Sequence, residues 1–306
     1  MMRLLLLFSA LSWGLNAQLL QDKFAEVYPE RPYSVVALRE AGGYNDLSVW
    51  LAINELDSSL SLGALGKEVQ AAYQLERHIL RDGKPHKSTY YLPTGDKERR
   101  LDYYYRQGQI LAIDEFEFDS LQEEQLVYLH SFLYKKDSVP LQKVTEYKQE
   151  RQFRQLFVYD FDEQGRLLRQ KVEDVGQMRD LNAMQSIWPN KSLLLYSYEQ
   201  EAELARLYHD QHRLVYRERA QLNEKGQVLT KTRKDRRNRL IWDENYQYSS
   251  QRLAKKERYR FSADGDRQLE ERIFYEYEGP AGLLSRKIVE KAGRQYVYDF
   301  QYSISE

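Results

Sequence analysis

Beyond Tyr103 the chain is dominated by a period of two. Phe116 and Phe118, Phe157 with Tyr159 and Phe161, Tyr196 and Tyr198, Tyr246 and Tyr248, Tyr259 and Phe261, Tyr275 and Tyr277, and the run Tyr296, Tyr298, Phe300 and Tyr302 recur at alternate positions, mostly with charged or polar residues between them. Successive side chains of a strand point to opposite faces, so the pattern predicts strands with one buried and one solvated face. Turn residues separate the runs at Gln164-Gly165, Lys225-Gly226, Asp264-Gly265, Gly279 to Gly282 and Ala292-Gly293, the spacing of an antiparallel meander. Tyr73, Leu75, Arg77 and Ile79 alternate in the same way ahead of Asp82-Gly83, which predicts one more hairpin. Two stretches depart from the pattern. Leu47, Trp50, Leu51, Asn54, Leu56 and Leu60 approximate helical spacing behind Asp46, a residue able to cap a first turn, and predict one helix. Met178, Leu181, Met184, Ile187 and Trp188, ahead of Pro189, predict a short helix inserted between strands.

The expected fold is therefore mainly β: a meander of short, aromatic-rich hairpins forming a thin or single-layer twisted sheet, with a small helical N-terminal segment. Three regions are expected. Residues 1–17 read as a signal peptide, with Arg3 as the basic end, Leu4 to Leu11 as the apolar run and Ala17 at the cleavage point before Gln18. Residues 18–66 form the N-terminal segment and 67–306 the β-repeat domain. The expected location is outside the cytoplasm, in the periplasm, at the cell surface or in the medium, and no transmembrane helix is expected.

A unit recurs within the β region: aromatic, any residue, aromatic, acidic or small polar, two residues, Gly, a basic or polar residue and an aliphatic one. Its clearest copy runs Tyr159-Asp160-Phe161-Asp162-Glu163-Gln164-Gly165-Arg166-Leu167, with looser copies around Tyr196, Leu222, Tyr259 and Tyr275. This unit resembles the bacterial YD-repeat, or rearrangement-hotspot, pattern over about residues 150 to 302. The resemblance implies a secreted β-sheet scaffold of the kind linked to cell surfaces, carbohydrate contact or toxin delivery. The large members wrap their sheet into a shell around cargo, and this chain is expected to have too few strands for that.

Composition narrows the classes further. The chain of 306 residues has no cysteine, which removes disulfides, thiolate metal sites and cysteine nucleophiles. Its 25 Tyr and 11 Phe exclude a disordered polar chain. Lys and Arg number 46 against 47 Asp and Glu, a balance that argues against a general affinity for nucleic acid or anionic membrane.

Candidate chemistry is sparse. Among the five histidines only His209 and His212 are close in sequence, and their flanks predict a solvated turn instead of a metal site. Asp114, Glu115, Glu117 and Asp119 are the densest carboxylate cluster, interleaved with Phe116 and Phe118 as one face of a strand. No phosphate loop, nucleophile elbow or zinc-helix motif occurs, so no cofactor, metal or catalytic residue is assigned. The strongest local charge bias is the basic run from Lys231 to Arg239, which suits an anionic glycan or an acidic partner surface. Candidate binding residues are Lys231, Arg233, Lys234, Arg236, Arg237 and Arg239, joined by Tyr259, Tyr275 and Tyr277 as rings that stack on sugars or peptides. The reading that follows is a non-enzymatic envelope or secreted scaffold binding a glycan, a cell-wall component or a partner protein. Two alternatives stand beside it: an outer-membrane β-barrel, opposed by Lys255, Glu257, Glu271 and Lys287 within the strands, and a carboxylate-dependent hydrolase.

Overall fold

A computed structural model describes residues 44–56, 61–134, 140–147, 151–164, 166–175, 191–199, 202–209, 213–262, 264–279 and 282–304. The predicted signal peptide and the helix at Met178 to Trp188 lie outside the described residues. Eighteen strands follow in chain order: β1 (Asp46–Glu55), β2 (Glu68–Arg81), β3 (Lys84–Tyr91), β4 (Lys97–Arg106), β5 (Gln109–Phe118), β6 (Glu124–Tyr134), β7 (Pro140–Tyr147), β8 (Arg151–Phe161), β9 (Leu167–Val175), β10 (Lys191–Glu199), β11 (Ala202–His209), β12 (Arg213–Leu222), β13 (Val228–Asp235), β14 (Leu240–Ser249), β15 (Arg252–Phe261), β16 (Arg267–Glu278), β17 (Leu283–Lys291) and β18 (Arg294–Ser303). Every aromatic pair named above falls inside one of them, and the hairpin expected around Asp82-Gly83 is β2–β3.

The expected helix behind Asp46 is overturned, since Asp46–Glu55 is strand β1. The reason lies in its partners. Leu47, Val49 and Leu51 sit on one face and pair with Tyr302, Phe300 and Tyr298 of β18 and with the facing positions of β2. A half-buried strand between two others satisfies its backbone on both sides, and the alternating set Leu47, Val49, Leu51 outweighs a helical spacing that only approximated three-and-four.

Each strand pairs antiparallel with the next from β1 through to β18, including β9 with β10, and β18 pairs with β1 over ten positions from Asp46 opposite Ser303 to Glu55 opposite Arg294. The meander thus returns on itself, and every strand has two hydrogen-bonded neighbours. That arrangement removes the free edges that invite edge-to-edge association.

Two devices recur around this cycle. The first is a turn. At Asp119, Asp162, Asn223, Asp235 and Ser262 the backbone N–H of the first residue donates to the carbonyl four residues on. In the Asp and Asn cases the side-chain oxygen also accepts backbone N–H groups two and four residues later, as Asp162 does from Gln164 at 3.0 Å and Arg166 at 2.8 Å. The fourth residue needs a left-handed backbone, supplied by Gly226 (φ 76°) and Gly265 (φ 90°) but by Gln122 (φ 61°) and Asn238 (φ 66°) in the other copies. The recurring acidic-to-Gly spacing seen in the sequence is this hairpin.

The second device uses tyrosine. Near the end of an even-numbered strand, a tyrosine hydroxyl donates to a carbonyl near the start of the preceding strand: Tyr105 to Pro85 at 2.7 Å, Tyr198 to Leu167 at 2.9 Å, Tyr248 to Val228 at 2.9 Å, Tyr277 to Leu253 at 3.0 Å and Tyr302 to Leu284 at 3.0 Å. A tyrosine there covers apolar surface with its ring and donates to a backbone carbonyl with its tip. The rings of Tyr105, Tyr198, Tyr277 and Tyr302 also join three apolar clusters, around Leu47, Val49 and Phe300, around Tyr90, Leu101 and Ile113, and around Leu167, Tyr196 and Ala205.

Candidate functional site

The face of the sheet that carries these clusters also carries a polar belt. Residues directly opposite each other across strands share a face, so Lys231, Glu244, Arg258 and Glu271 form one row across β13 to β16. The charges in that row alternate in sign. Glu244, fully within the packed face, binds Lys256 at 2.7 Å and Arg258 at 2.6 Å. Burial alone pushes its carboxyl upward, but Lys256, Tyr246 and Arg258 outweigh that and hold it down at about 2. Glu218 takes Lys231 at 3.0 Å and the Nε of Arg233 at 2.7 Å, while the Arg233 guanidinium lies over Tyr216 at 3.9 Å and Trp242 at 5.0 Å.

The belt continues through β2 to β7 as two strings of the same construction. Glu76 faces His78 Nε2 at 3.0 Å, and His78 Nδ1 faces the Ser88 hydroxyl at 2.7 Å. Glu115 faces His130 Nε2 at 3.0 Å, and His130 Nδ1 faces the Thr145 hydroxyl at 3.0 Å. Arg99 adds a bond to Glu115 at 3.1 Å. Carboxylate, imidazole and hydroxyl are the residue set of nucleophilic hydrolases. Here, however, Glu76, His78 and Ser88 are each 0% exposed, and the near-copy at Glu115, His130 and Thr145 shows the string to be a repeated way of bonding polar groups inside the packed face. Burial lowers the His130 pKa, opposed by Glu115, while His130 and Arg99 bring Glu115 below its ordinary value against the opposite pull of burial. Two lysines on the same face, Lys143 and Lys287, are pushed down by burial to about 8. Sequence reasoning missed this belt, because its members are single charged residues in different strands and only register brings them together.

The carboxylate cluster is dispersed by the pleat. Glu115 belongs to the belt, Asp114 accepts the Tyr104 hydroxyl at 3.0 Å on the opposite face, Glu117 is exposed, and Asp119 caps the β5–β6 turn. His209 and His212 have side chains outside the described residues; elsewhere among the described residues no group of three metal-ligating side chains occurs.

The candidate binding residues are likewise divided. Lys231 and Arg233 point into the belt, and Arg239 pairs with Asp235 at 2.7 Å across the hairpin turn. Lys234 lies on the opposite face, and Arg236 and Arg237 are exposed at the turn. Tyr259 donates to Glu257 at 3.1 Å beneath the guanidinium of Arg267, 3.6 Å from its ring centre. Burial raises the Tyr275 pKa, and its ring packs in the Leu47 cluster beside Tyr277, whose hydroxyl ties Leu253. Three of the nine, Lys234, Arg236 and Arg237, are thus cations set outside the belt with no acid drawn onto them in the described contacts.

Across the described residues of β12 to β15, neither face presents the uninterrupted apolar row that a lipid-spanning strand needs. Across β12 to β15 one face carries Glu218, Arg233, Glu244 and Lys256, and the other Arg217, Arg219, Thr230, Thr232, Asn245 and Glu257. Between β1 and β2, residues 61–67 lie over the second face at β16 to β18, where the Gly66 N–H donates to Gln295 Oε1 and Gln295 Nε2 donates to the Ala64 carbonyl, both at 2.8 Å. Gly66 is required there, since a Cβ would stand 1.8 Å from the Glu55 carbonyl oxygen.

No family model matches the chain, and no curated protein matches it. Among solved structures it is similar to a porin-like protein from Bacteroides uniformis (7% identity, 86% of this chain and 97% of that one, TM-score 0.33). It is similar also to a porin-like protein from Bacteroides vulgatus (10%, 82% and 97%, 0.32) and to a putative outer membrane lipoprotein-sorting protein domain from Vibrio parahaemolyticus (8%, 88% and 90%, 0.24). At these TM-scores the likenesses carry no argument about function.

Proposed function

We propose that the chain is an exported, non-enzymatic β-scaffold of the cell envelope or its surroundings that binds a glycan or a partner protein through the polar face opposite its belt. One observation carries this reading: the belt face uses its ionisable groups on one another, as in Glu218 with Lys231 and Arg233 and Glu244 with Lys256 and Arg258, so its chemistry is spent on holding the sheet. What remains available to a ligand is the other face and the turns. Export rests on the basic, apolar and small-residue order of residues 1–17. Kinship with YD-repeat scaffolds is supported by the recurrence of one turn chemistry at Asp119, Asp162, Asn223, Asp235 and Ser262.

The test is fractionation of cells producing the full chain with a C-terminal tag, followed by N-terminal sequencing. The expected product begins at Gln18 and lies outside the cytoplasm. A folded cytoplasmic protein retaining Met1 overturns the proposal.

A further inference from the structure

The two faces of β11 to β13 treat charge in opposite ways. On the belt face opposite signs meet across strands, as in Glu218 opposite Arg233, and this alternation continues beyond β13 from Lys231 through Glu244 and Arg258 to Glu271. On the other face Arg206 stands directly opposite Arg217, and Arg217 directly opposite Lys234. Neighbouring strands are about 4.8 Å apart, so three cations fall within about 10 Å. Like charges directly opposite in a sheet are destabilising. Arg206 and Arg217 are exposed and Lys234 partly so, and Arg219, also exposed, lies two residues along β12 on the same face. The row continues through Leu195 to Arg169, whose charge Asp160 neutralises. At the rim next to Lys234 the turn adds Arg236 and Arg237. The nearby acids are engaged elsewhere: Asp235 holds Arg239 and Asp243 holds Arg267 at 3.0 Å.

We infer that this row is a binding site for an anionic polysaccharide, with Arg206, Arg217 and Lys234 as its centre and Arg219, Arg236 and Arg237 extending it. The inference deepens the scaffold reading and rests on it for the class of partner, since an exported chain meets acidic glycans. Balanced net charge conceals the site. Within β11 to β13 the acids are Glu203 and Glu218 on the belt face and Asp235 at the turn, so the exposed face of these three strands is left cationic.

The test uses the purified mature chain against immobilised heparin and polygalacturonate, with dextran as the uncharged probe and double-stranded DNA as the competing polyanion. Binding to both acidic glycans and not to dextran is expected, weakening as salt is added. The triple variant Arg206→Gln, Arg217→Gln, Lys234→Gln should bind roughly 100-fold more weakly. A control with the same charge change at exposed positions elsewhere, Lys225→Gln, Lys291→Gln, Arg294→Gln, should bind as the parent does. Arg217→Glu separates binding from folding: it sets an acid between two bases, so its melting temperature should rise while binding falls. Equal binding by the triple variant and its control, or stronger retention by DNA than by heparin, overturns the inference. A cytoplasmic location for the chain overturns the export reading instead, and leaves the measured glycan affinity to stand or fall by itself.

Discussion

Replacing Lys287 with methionine should stabilise the protein at neutral pH. Lys287 sits on the belt face of β17, opposite Tyr275 and Tyr298, with its ammonium 5.6 Å from the Tyr298 ring centre. Burial is the largest influence on it and lowers its pKa from the ordinary 10.5 to about 8, with Lys256 adding to the fall and Glu271 and Glu76 opposing it. At 1.36 kcal/mol per unit, that drop means the charged amine costs the fold about 3 kcal/mol. A base with a depressed folded pKa binds fewer protons folded than unfolded between those two values, so its cost is complete below about 8 and disappears as pH rises toward 10.5. Methionine keeps the length and apolar stem of the side chain and removes the charge. The expected gain is about 2 to 3 kcal/mol at pH 7, or a melting temperature higher by about 5 to 10 °C. Because the unfolded wild type loses its own proton near pH 10, the gap between variant and parent should shrink through the window from 8 to 10.5. Urea unfolding of both chains at pH 7, 8.5 and 10 measures this. A destabilised variant, or a gap that stays constant with pH, refutes the reasoning, because either result means that burial does not expel the ammonium more strongly than Glu271 and Glu76 hold it.

Three further outcomes are expected. Ser48 and Gln301 face each other across β1 and β18, so the pair Ser48→Cys and Gln301→Cys, in a chain with no other cysteine, should crosslink under mild oxidation; failure to do so would show that β18 does not return to β1. Gln122 holds a left-handed φ of 61°, and its side chain accepts the Lys97 N–H at 2.8 Å and donates to the Lys97 carbonyl at 3.3 Å. Gln122→Val strains the turn and removes both bonds, so it should lower stability by about 1 to 2 kcal/mol in thermal melts, and Gln122→Gly, which relieves the strain but loses the same bonds, should cost less than Gln122→Val does. Glu244 is held at about 2 against an ordinary 4.5, so its contribution is complete above pH 4.5 and lost as pH falls toward 2; Glu244→Gln should weaken the fold at pH 7 and flatten its acid unfolding limb. An unchanged limb would mean that the belt row is not coupled to folding.

The sequence by itself marked the strands that carry paired aromatics and the turns at Asp82-Gly83, Lys225-Gly226, Asp264-Gly265 and Ala292-Gly293. Alternating aromatics such as Tyr296, Tyr298, Phe300 and Tyr302 are a local signal, because the pleat imposes a period of two on any half-buried strand. The turn chemistry is equally local, as at Asp162, where one side chain satisfies N–H groups only two and four residues away. Local signals also misled. Leu47 to Glu55 carried a rough helical spacing, and only its partners on both sides make it a strand. Register across strands was the decision of the tertiary structure. It turns the basic run into two populations, with Lys231 and Arg233 bonded to Glu218 and Lys234 set beside Arg217 and Arg206. It assembles Glu76 with His78 and Ser88, and Glu115 with His130 and Thr145, from strands whose sequences show isolated polar residues. And it joins β18 to β1, because that contact links residues about 250 positions apart, and no pattern within a single strand records which other strand will pair with it.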